Sequence, residues 1–260
     1  MSGPVADGEL VMLIDTKDRR YLVTLDAAKE FHSHSGFVAH SDIIGTDEGN
    51  VVRTTRGGAY TVLRPTLSDF VLKMPRGAQV IYPKDLGPLL MIADIGPGQR
   101  ILESGVGSGA LSMAMLRCGV DIIGYELRED FAQRAQANVE QFLGADTLQR
   151  YRVELRDCYE GIDETDLDRV VLDLPEPWQV VPHAATALTP GGIIVGYSPS
   201  ITQVVQFREA LDAAGFLLAQ TVEVMNRGWY IEGAAVRPDH RMVAHTGFLT
   251  SARRGGTMPG

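Results

Sequence analysis

The residues from Arg100 to Ala110, Arg-Ile-Leu-Glu-Ser-Gly-Val-Gly-Ser-Gly-Ala, leave few choices to a chain that contains them. A short apolar run, Ile101 and Leu102, meets an acid, Glu103. Glycines then occupy alternate positions, Gly105, Gly107 and Gly109, before Leu111 to Leu116 resume at helical spacing. This order predicts a strand, a tight turn and a helix start. Glycine takes positive φ without steric cost and lets a ligand approach the backbone, so the turn suits a nucleotide lying across the carboxyl end of a parallel sheet.

Two cofactor classes fit such a turn. Gly105, Gly107 and Ala110 satisfy the Gly-x-Gly-x-x-Gly/Ala dinucleotide pattern, which seats a pyrophosphate on a helix N-terminus. Glu103 stands two residues before the first glycine. Its charge would oppose a pyrophosphate and favour the cationic methionine end of S-adenosylmethionine.

From Arg100 onward the chain alternates. Strands are expected at 121–126, about 151–155, about 168–174 and 192–197, and helices at about 129–142, 177–188 and 201–214. Near-continuous apolar strands alternating with helices imply a parallel sheet covered on both faces. Two apolar stretches after Gly215, 216–225 and about 240–250, read as antiparallel strands closing one edge. Residues 1–75 read instead as a small β-rich unit, a little barrel or sandwich. Its short apolar runs, Leu10 to Ile14 with Tyr21 to Leu25 and Val51 to Thr55 with Ala59 to Arg64, flank hairpin-like connections. Thr66 or Ser68 caps a short helix through Met74. Residues 76–99 form a connecting segment, with a strand-like run Gln79 to Asp85 broken by Pro83 and a helix from about Leu86 to Ile95. Tyr82, Lys84 and Asp85 there suit either a lid over the site or a solvated linker. The core domain spans 76–252, and 253–260 read as a flexible tail.

The residues that carry chemistry fall at strand ends. Glu126 ends the second core strand, where a carboxylate can accept both ribose hydroxyls. Phe131 opens the next helix and either touches the cofactor or fills the core. Asp157 follows the third strand and either accepts from an adenine amino group or caps a turn. Asp173 ends Arg169-Val170-Val171-Leu172 and precedes Leu174-Pro175-Glu176-Pro177-Trp178. An acid with a proline-stiffened turn and an aromatic at this place is expected to face the donor methyl group. His32, His34 and His40 invite a metal, but no acid or cysteine completes a close set, so structural histidines and no metal are the expectation.

Composition sets limits on partners. The 260 residues are 45% hydrophobic, ample for a core, and contain no apolar run of about 18 residues that would span a membrane. The first residues lack the apolar stretch of a secretory signal, so a cytoplasmic protein is expected. Cys118 and Cys158 are far apart and read as two reduced thiols. A net charge of −9 argues against a nucleic-acid partner, yet the acids concentrate in residues 101–220, 18 against 8 basic residues. The flanking segments are near neutral. Any polyanion would therefore meet Lys17, Arg19, Arg20, Arg53, Arg56, Arg64, Lys73, Arg76, Lys84, Arg237, Arg241, Arg253 and Arg254, converging on one groove.

Taken together, Glu-Ser-Gly-Val-Gly-Ser-Gly, Gly-Tyr-Glu at 124–126, Asp157, Asp-Leu-Pro-Glu-Pro-Trp, Ile-Tyr-Pro-Lys-Asp at 81–85 and Arg-Pro-Asp-His-Arg-Met-Val-Ala-His-Thr-Gly-Phe-Leu at 237–249 resemble the TrmI family, closest to its actinobacterial members. These are tRNA (adenine-58-N1)-methyltransferases. The glycine turn is generic to class I methyltransferases. The proline-bound tyrosine and the C-terminal run are more specific. The resemblance implies an α/β class I (Rossmann-like) methyltransferase sheet with a small N-terminal β domain, a homotetramer, and tRNA as substrate. It implies S-adenosylmethionine held by the backbone of Gly105, Val106, Gly107, Ser108 and Gly109, ribose by Glu126 and adenine by Asp157. Asp173 would contact the methionine end and accept from the target adenine's amino group, between Tyr82 and Tyr197 as walls of the base pocket.

Overall fold

Short β-rich runs separated by turn residues produce local hairpins, and the N-terminal residues are built from them. The computed structural model describes residues 3–77 and 79–256, and the chain divides into two units, Met1–Met74 and Pro75–Gly260. In the first unit β1 (Leu10–Asp15) pairs with β2 (Arg20–Thr24) across a turn organised by Asp15. That carboxylate accepts from the backbone N–H groups of Lys17 and Arg19 at 2.8 and 3.0 Å and from Arg19 Nε at 2.6 Å. Two strands not legible in the sequence follow, β3 (Glu30–Ser33) and β4 (Gly36–Ala39), paired only with each other. Next come β5 (Val51–Arg53) and β6 (Ala59–Leu63), which complete a four-stranded antiparallel sheet in the order β2-β1-β6-β5. Val11, Leu13, Leu25, Ile43 and Val62 are its buried centre, with Tyr21, Phe31 and Tyr60 packed edge to face. His40 is buried and its Nδ1 accepts from Asp26 N–H at 3.0 Å. No group of three metal-ligating side chains occurs among the described residues. Helix α1 (Leu67–Lys73) closes the unit, with Thr66 and Asp69 forming a reciprocal capping box.

The second unit opens with α2 (Pro83–Ile92), which starts three residues earlier than the apolar spacing suggests. Pro83 occupies the first helical position, where its missing N–H costs nothing, and Tyr82 before it is held extended at φ −67°, ψ 148°. The expected strand over 79–85 is therefore absent. The alternation then runs β7 (Arg100–Ser104), α3 (Ala110–Leu116), β8 (Asp121–Glu126), α4 (Glu129–Leu143), β9 (Tyr151–Leu155), β10 (Leu167–Leu172), α5 (Val181–Ala187), β11 (Leu188–Ser198), α6 (Ile201–Ala213) and β12 (Phe216–Glu223). A hairpin that the sequence did not announce, β13 (Trp229–Glu232) and β14 (Ala235–Pro238), precedes β15 (Phe248–Arg254). The sheet order is β12-β15-β11-β10-β7-β8-β9, with β11 to β9 parallel and β15 antiparallel to both its neighbours. Arg253 and Arg254, expected in a tail, end β15; residues 257–260 lie outside the described residues. This is an open α/β sheet accompanied by a small N-terminal β unit.

The chain leaves β7 toward β9 on one side and returns to β10 on the other, so β7 and β10 flank the point where strand order reverses. In open α/β sheets the carboxyl ends at that point form the ligand crevice. One face of the sheet packs Leu102, Val170, Leu172 and Ile194 against Val181 and Ala184 of α5 and Phe207 and Leu211 of α6. Trp178, partly buried, packs against this cluster. Helix α3, buried along its whole length, belongs to the opposite face.

Candidate active site

The turn between β7 and α3 requires glycine for separate reasons at two positions. Gly105 has φ +81°, and a Cβ there would overlap the carbonyl oxygen of Asp173, so the β7 and β10 ends lie almost in contact. Gly109, also at φ +81°, starts α3 close to the backbone of Ala135 in α4. Between them the Gly107 N–H donates to Glu126 Oε2 at 3.0 Å, while Glu126 Oε1 accepts from the Arg128 N–H at the same distance. The carboxylate at the end of β8 is thus fixed beside the turn.

Ser104, Gly105, Glu126, Asp157, Leu174 and Pro175 share the wall of a cleft of about 160 Å³ at the carboxyl ends of the strands. One oxygen of Asp157 accepts from the Tyr159 N–H at 2.8 Å, so this residue does cap a turn while lining the cleft. Tyr125, Leu127, Arg156, Cys158 and Tyr159 complete the wall, and the sequence offered no periodic signal for them. Phe131 is buried with the Arg128 guanidinium 4.1 Å from its ring centre and is not part of that wall.

Three acids crowd the turn. Glu103 is wholly buried, and neither of its carboxylate oxygens has a hydrogen-bond partner among the described residues. Burial pushes it up to about 8; nearby Ser112 offsets this only in part, and the charges of Asp173 and Glu126 add to it. Asp173 is pushed up to about 7, first by burial and then by Glu126, and no hydrogen bond offsets the shift. Unpartnered buried carboxylate is costly. Mutually repelling acids around a strand-end cleft suit a cationic ligand, which would supply the missing partner. The same cluster is hostile to a pyrophosphate.

A second group of side chains gathers about Tyr197. Tyr197, near the end of β11, is buried, and its hydroxyl donates to the Thr246 carbonyl at 2.7 Å. Burial raises that phenol to about 12, with the charges of Asp85, Asp173 and Tyr82 contributing, so all three lie within electrostatic reach of it. Tyr197 can offer its ring but not a labile proton. Lys84 and Asp85 are not a solvated linker: their side chains are 7% and 0% exposed and form an ion pair at 2.8 Å. The basic residues that the sequence offers do not all remain available to a polyanion. Arg64 and Lys84 are largely buried in ion pairs, and Arg253 and Arg254 donate to carbonyls at the amino end of β11, away from the cleft, whereas Arg19 and Arg20 are paired but half exposed.

Residues 58–237 match the family described as tRNA methyltransferase complex GCD14 subunit, and residues 3–52 match the TrmI-like N-terminal family. The chain is 36% identical over 247 residues to tRNA (adenine(58)-N(1))-methyltransferase TrmI of Thermus thermophilus, covering 94% of this chain and 96% of that protein. A crystal structure described as a SAM-dependent O-methyltransferase from Thermotoga maritima aligns with a TM-score of 0.92 at 30% identity over 99% of this chain and 97% of its own. The tRNA (m1A58) methyltransferase TrmI from Aquifex aeolicus aligns with a TM-score of 0.85 at 25% identity over 98% and 100%. With a glycine turn, a strand-end cleft and an acidic cluster suited to a cationic donor already in place, these likenesses settle the lineage: the chain belongs to the GCD14/TrmI family of tRNA methyltransferases.

Proposed function

We propose that this protein transfers a methyl group from S-adenosylmethionine to N1 of adenine 58 in the T-loop of tRNA. The observation that carries the reading is the close approach of the Asp173 backbone to the acid-lined glycine turn, with Asp173 and Tyr82 both within electrostatic reach of the buried Tyr197. When bound, S-adenosylmethionine supplies a methyl group activated on a sulfonium. The backbone from Gly105 to Gly109 cradles its amino-acid and ribose portion, Glu126 accepts from the ribose hydroxyls, and Asp157 accepts from its adenine amino group. Glu103 meets the cationic methionine end, which restores its ionised form.

Adenine N1 has an in-plane lone pair, so alignment matters more than a strong base, and positioning supplies on the order of 7–11 kcal/mol of the barrier. As N1 gains its methyl, positive charge develops on the ring. Asp173 accepts from the exocyclic amino group and relieves that charge more in the transition state than in the ground state. In the complex, the positive charge of a bound sulfonium donor would favour the ionised form of Asp173. The base must first leave its stack, at roughly a few kcal/mol. Stacking on the rings of Tyr82 and Tyr197 returns part of this, at roughly 1–3 kcal/mol per base.

A tRNA substrate places the work in the cytoplasm, and no helix among the described residues is long and apolar enough to cross a membrane. Self-association as a homotetramer completes the reading. Exposed Trp229, Ile231 and Val236 on the β13–β14 hairpin support it, and light scattering of the purified protein tests it. The decisive assay is transfer of labelled methyl to unmodified tRNA transcripts. Label at position 58, lost when adenine 58 is replaced, is expected. Equal labelling of both transcripts, or none, overturns the assignment.

A further inference from the structure

Asp85 is 0% exposed and makes two charge-assisted contacts. Its Oδ1 accepts from Lys84 Nζ at 2.8 Å and its Oδ2 accepts from Thr246 Oγ1 at 2.6 Å. Lys84 Nζ also donates to the Val224 carbonyl at 2.6 Å. The start of α2 is thereby tied to both ends of the segment 224–246, which leaves the sheet after β12 and returns to it at β15. Thr246 faces two ways: its hydroxyl is held by Asp85, and its carbonyl accepts from the Tyr197 hydroxyl. The next residue, Gly247, lies so close to the Tyr197 ring that a Cβ would overlap it. Tyr197 therefore has its hydroxyl set by one peptide and its ring plane braced by the next.

A buried ion pair gives little net stability, because desolvation consumes most of its Coulombic attraction and apolar residues of similar volume do as well. What the pair supplies here is direction. Charge-assisted bonds hold Thr246 in one orientation, and through its carbonyl they hold an aromatic ring beside Asp173. A misplacement of about 1 Å in such a site can cost about a hundredfold in rate.

We propose that Asp85, acting through Thr246, is a positioning residue that fixes the Tyr197 ring for the target purine, so that the base stacks in line with the transferred methyl group. The proposal rests on the reading of Tyr197 as a wall of the base pocket. Thr246→Val keeps the size of the side chain and the backbone carbonyl while removing the hydroxyl held by Asp85. Single-turnover methylation of tRNA by this variant should slow roughly ten- to a hundredfold, with KM for tRNA and donor affinity near wild type and with Thr246→Ser restoring the rate. Tyr197→Phe lacks the same tie, so adding Thr246→Val to it should change the rate little further. Donor binding and the melting curve of each variant establish that it is folded. Wild-type rate in Thr246→Val, or losses that multiply in the double variant, overturn the proposal alone. A wild-type protein that leaves adenine 58 unmethylated removes the underlying reading, and the proposal with it.

Discussion

Replacing Glu103 by glutamine removes a buried titratable carboxyl while keeping the shape of the side chain, and its consequence for pH-dependent stability can be worked out. Burial and its acidic neighbours raise Glu103 from 4.5 to about 8 in the folded protein. The native state then keeps a proton that the unfolded chain has lost, so its contribution to stability is complete below about pH 4.5 and falls as pH rises through about 8. One such proton gives a slope of about 1.4 kcal/mol per pH unit, and the whole interval amounts to roughly 5 kcal/mol at most. Asp173, raised from 3.8 to about 7, adds a slope of the same sign over an overlapping range. Unfolding by urea, followed by tryptophan fluorescence at fixed protein concentration without donor, reads this directly. Both tryptophans, Trp178 and Trp229, belong to the second unit. Between pH 5 and 8, Glu103→Gln should lose stability less steeply than wild type by about one proton's worth, and it should be the more stable protein at pH 8. Calorimetric titration gives the other side of the linkage. S-adenosylmethionine should bind wild type more tightly as pH rises toward 8, whereas the variant should bind roughly ten- to a hundredfold more weakly, the worth of a bond to a charged group, and with only the shallower pH dependence that Asp173 contributes. Parallel stability profiles for the two proteins would refute the account of Glu103.

Gly105→Ala should cost more than Gly107→Ala in stability, because both have positive φ but only the Gly105 Cβ overlaps backbone, at the Asp173 carbonyl, whereas the Gly107 Cβ makes an ordinary contact; Gly107→Ala should carry the left-handed strain alone, roughly 1–2 kcal/mol, in denaturation curves. Thr66→Ala breaks the capping box of α1 and should destabilise the first unit by about 1 kcal/mol, with methyl transfer at saturating substrate unchanged. His245 should titrate above the ordinary histidine range, since Glu223 Oε1 and the Pro199 carbonyl accept from its two ring nitrogens at 2.6 and 2.9 Å; an NMR titration should show the value fall in Glu223→Gln.

What could be seen in the sequence was what local chemistry dictates. Glycines at 105, 107 and 109 announce positive φ and close approach, and apolar runs at strand and helix spacing announce the order of β7 to α6. Acids at strand ends then mark the crevice, because the sheet brings those ends to one rim. Thr66 shows the start of α1 in the same way, while the reciprocal bond from Asp69 is seen only in the structure. Long-range pairings escape such a reading. Asp85 and Thr246 are 161 residues apart, and neither carries a local sign of the other. Tyr82-Pro83 looks extended because proline forces the residue before it out of the helical region, yet the proline itself begins a helix. Trp178 looked like a site aromatic for its neighbours in sequence, and the turn after β10 lays it, partly buried, against the core cluster. Arg253 and Arg254 looked like tail beside Gly255 and Gly256, and pairing with β11 and β12 made them strand.

The account rests on Asp173 stabilising the base as it gains its methyl, and Asp173→Ala separates that role from donor binding most directly. S-adenosylmethionine affinity and the single-turnover rate on unmodified tRNA, measured on the same preparation, should diverge: affinity within a modest factor of wild type, and a rate lower by a hundredfold or more, on the order found for one lost transition-state hydrogen bond. A variant that binds the donor and methylates adenine 58 at the wild-type rate contradicts the account.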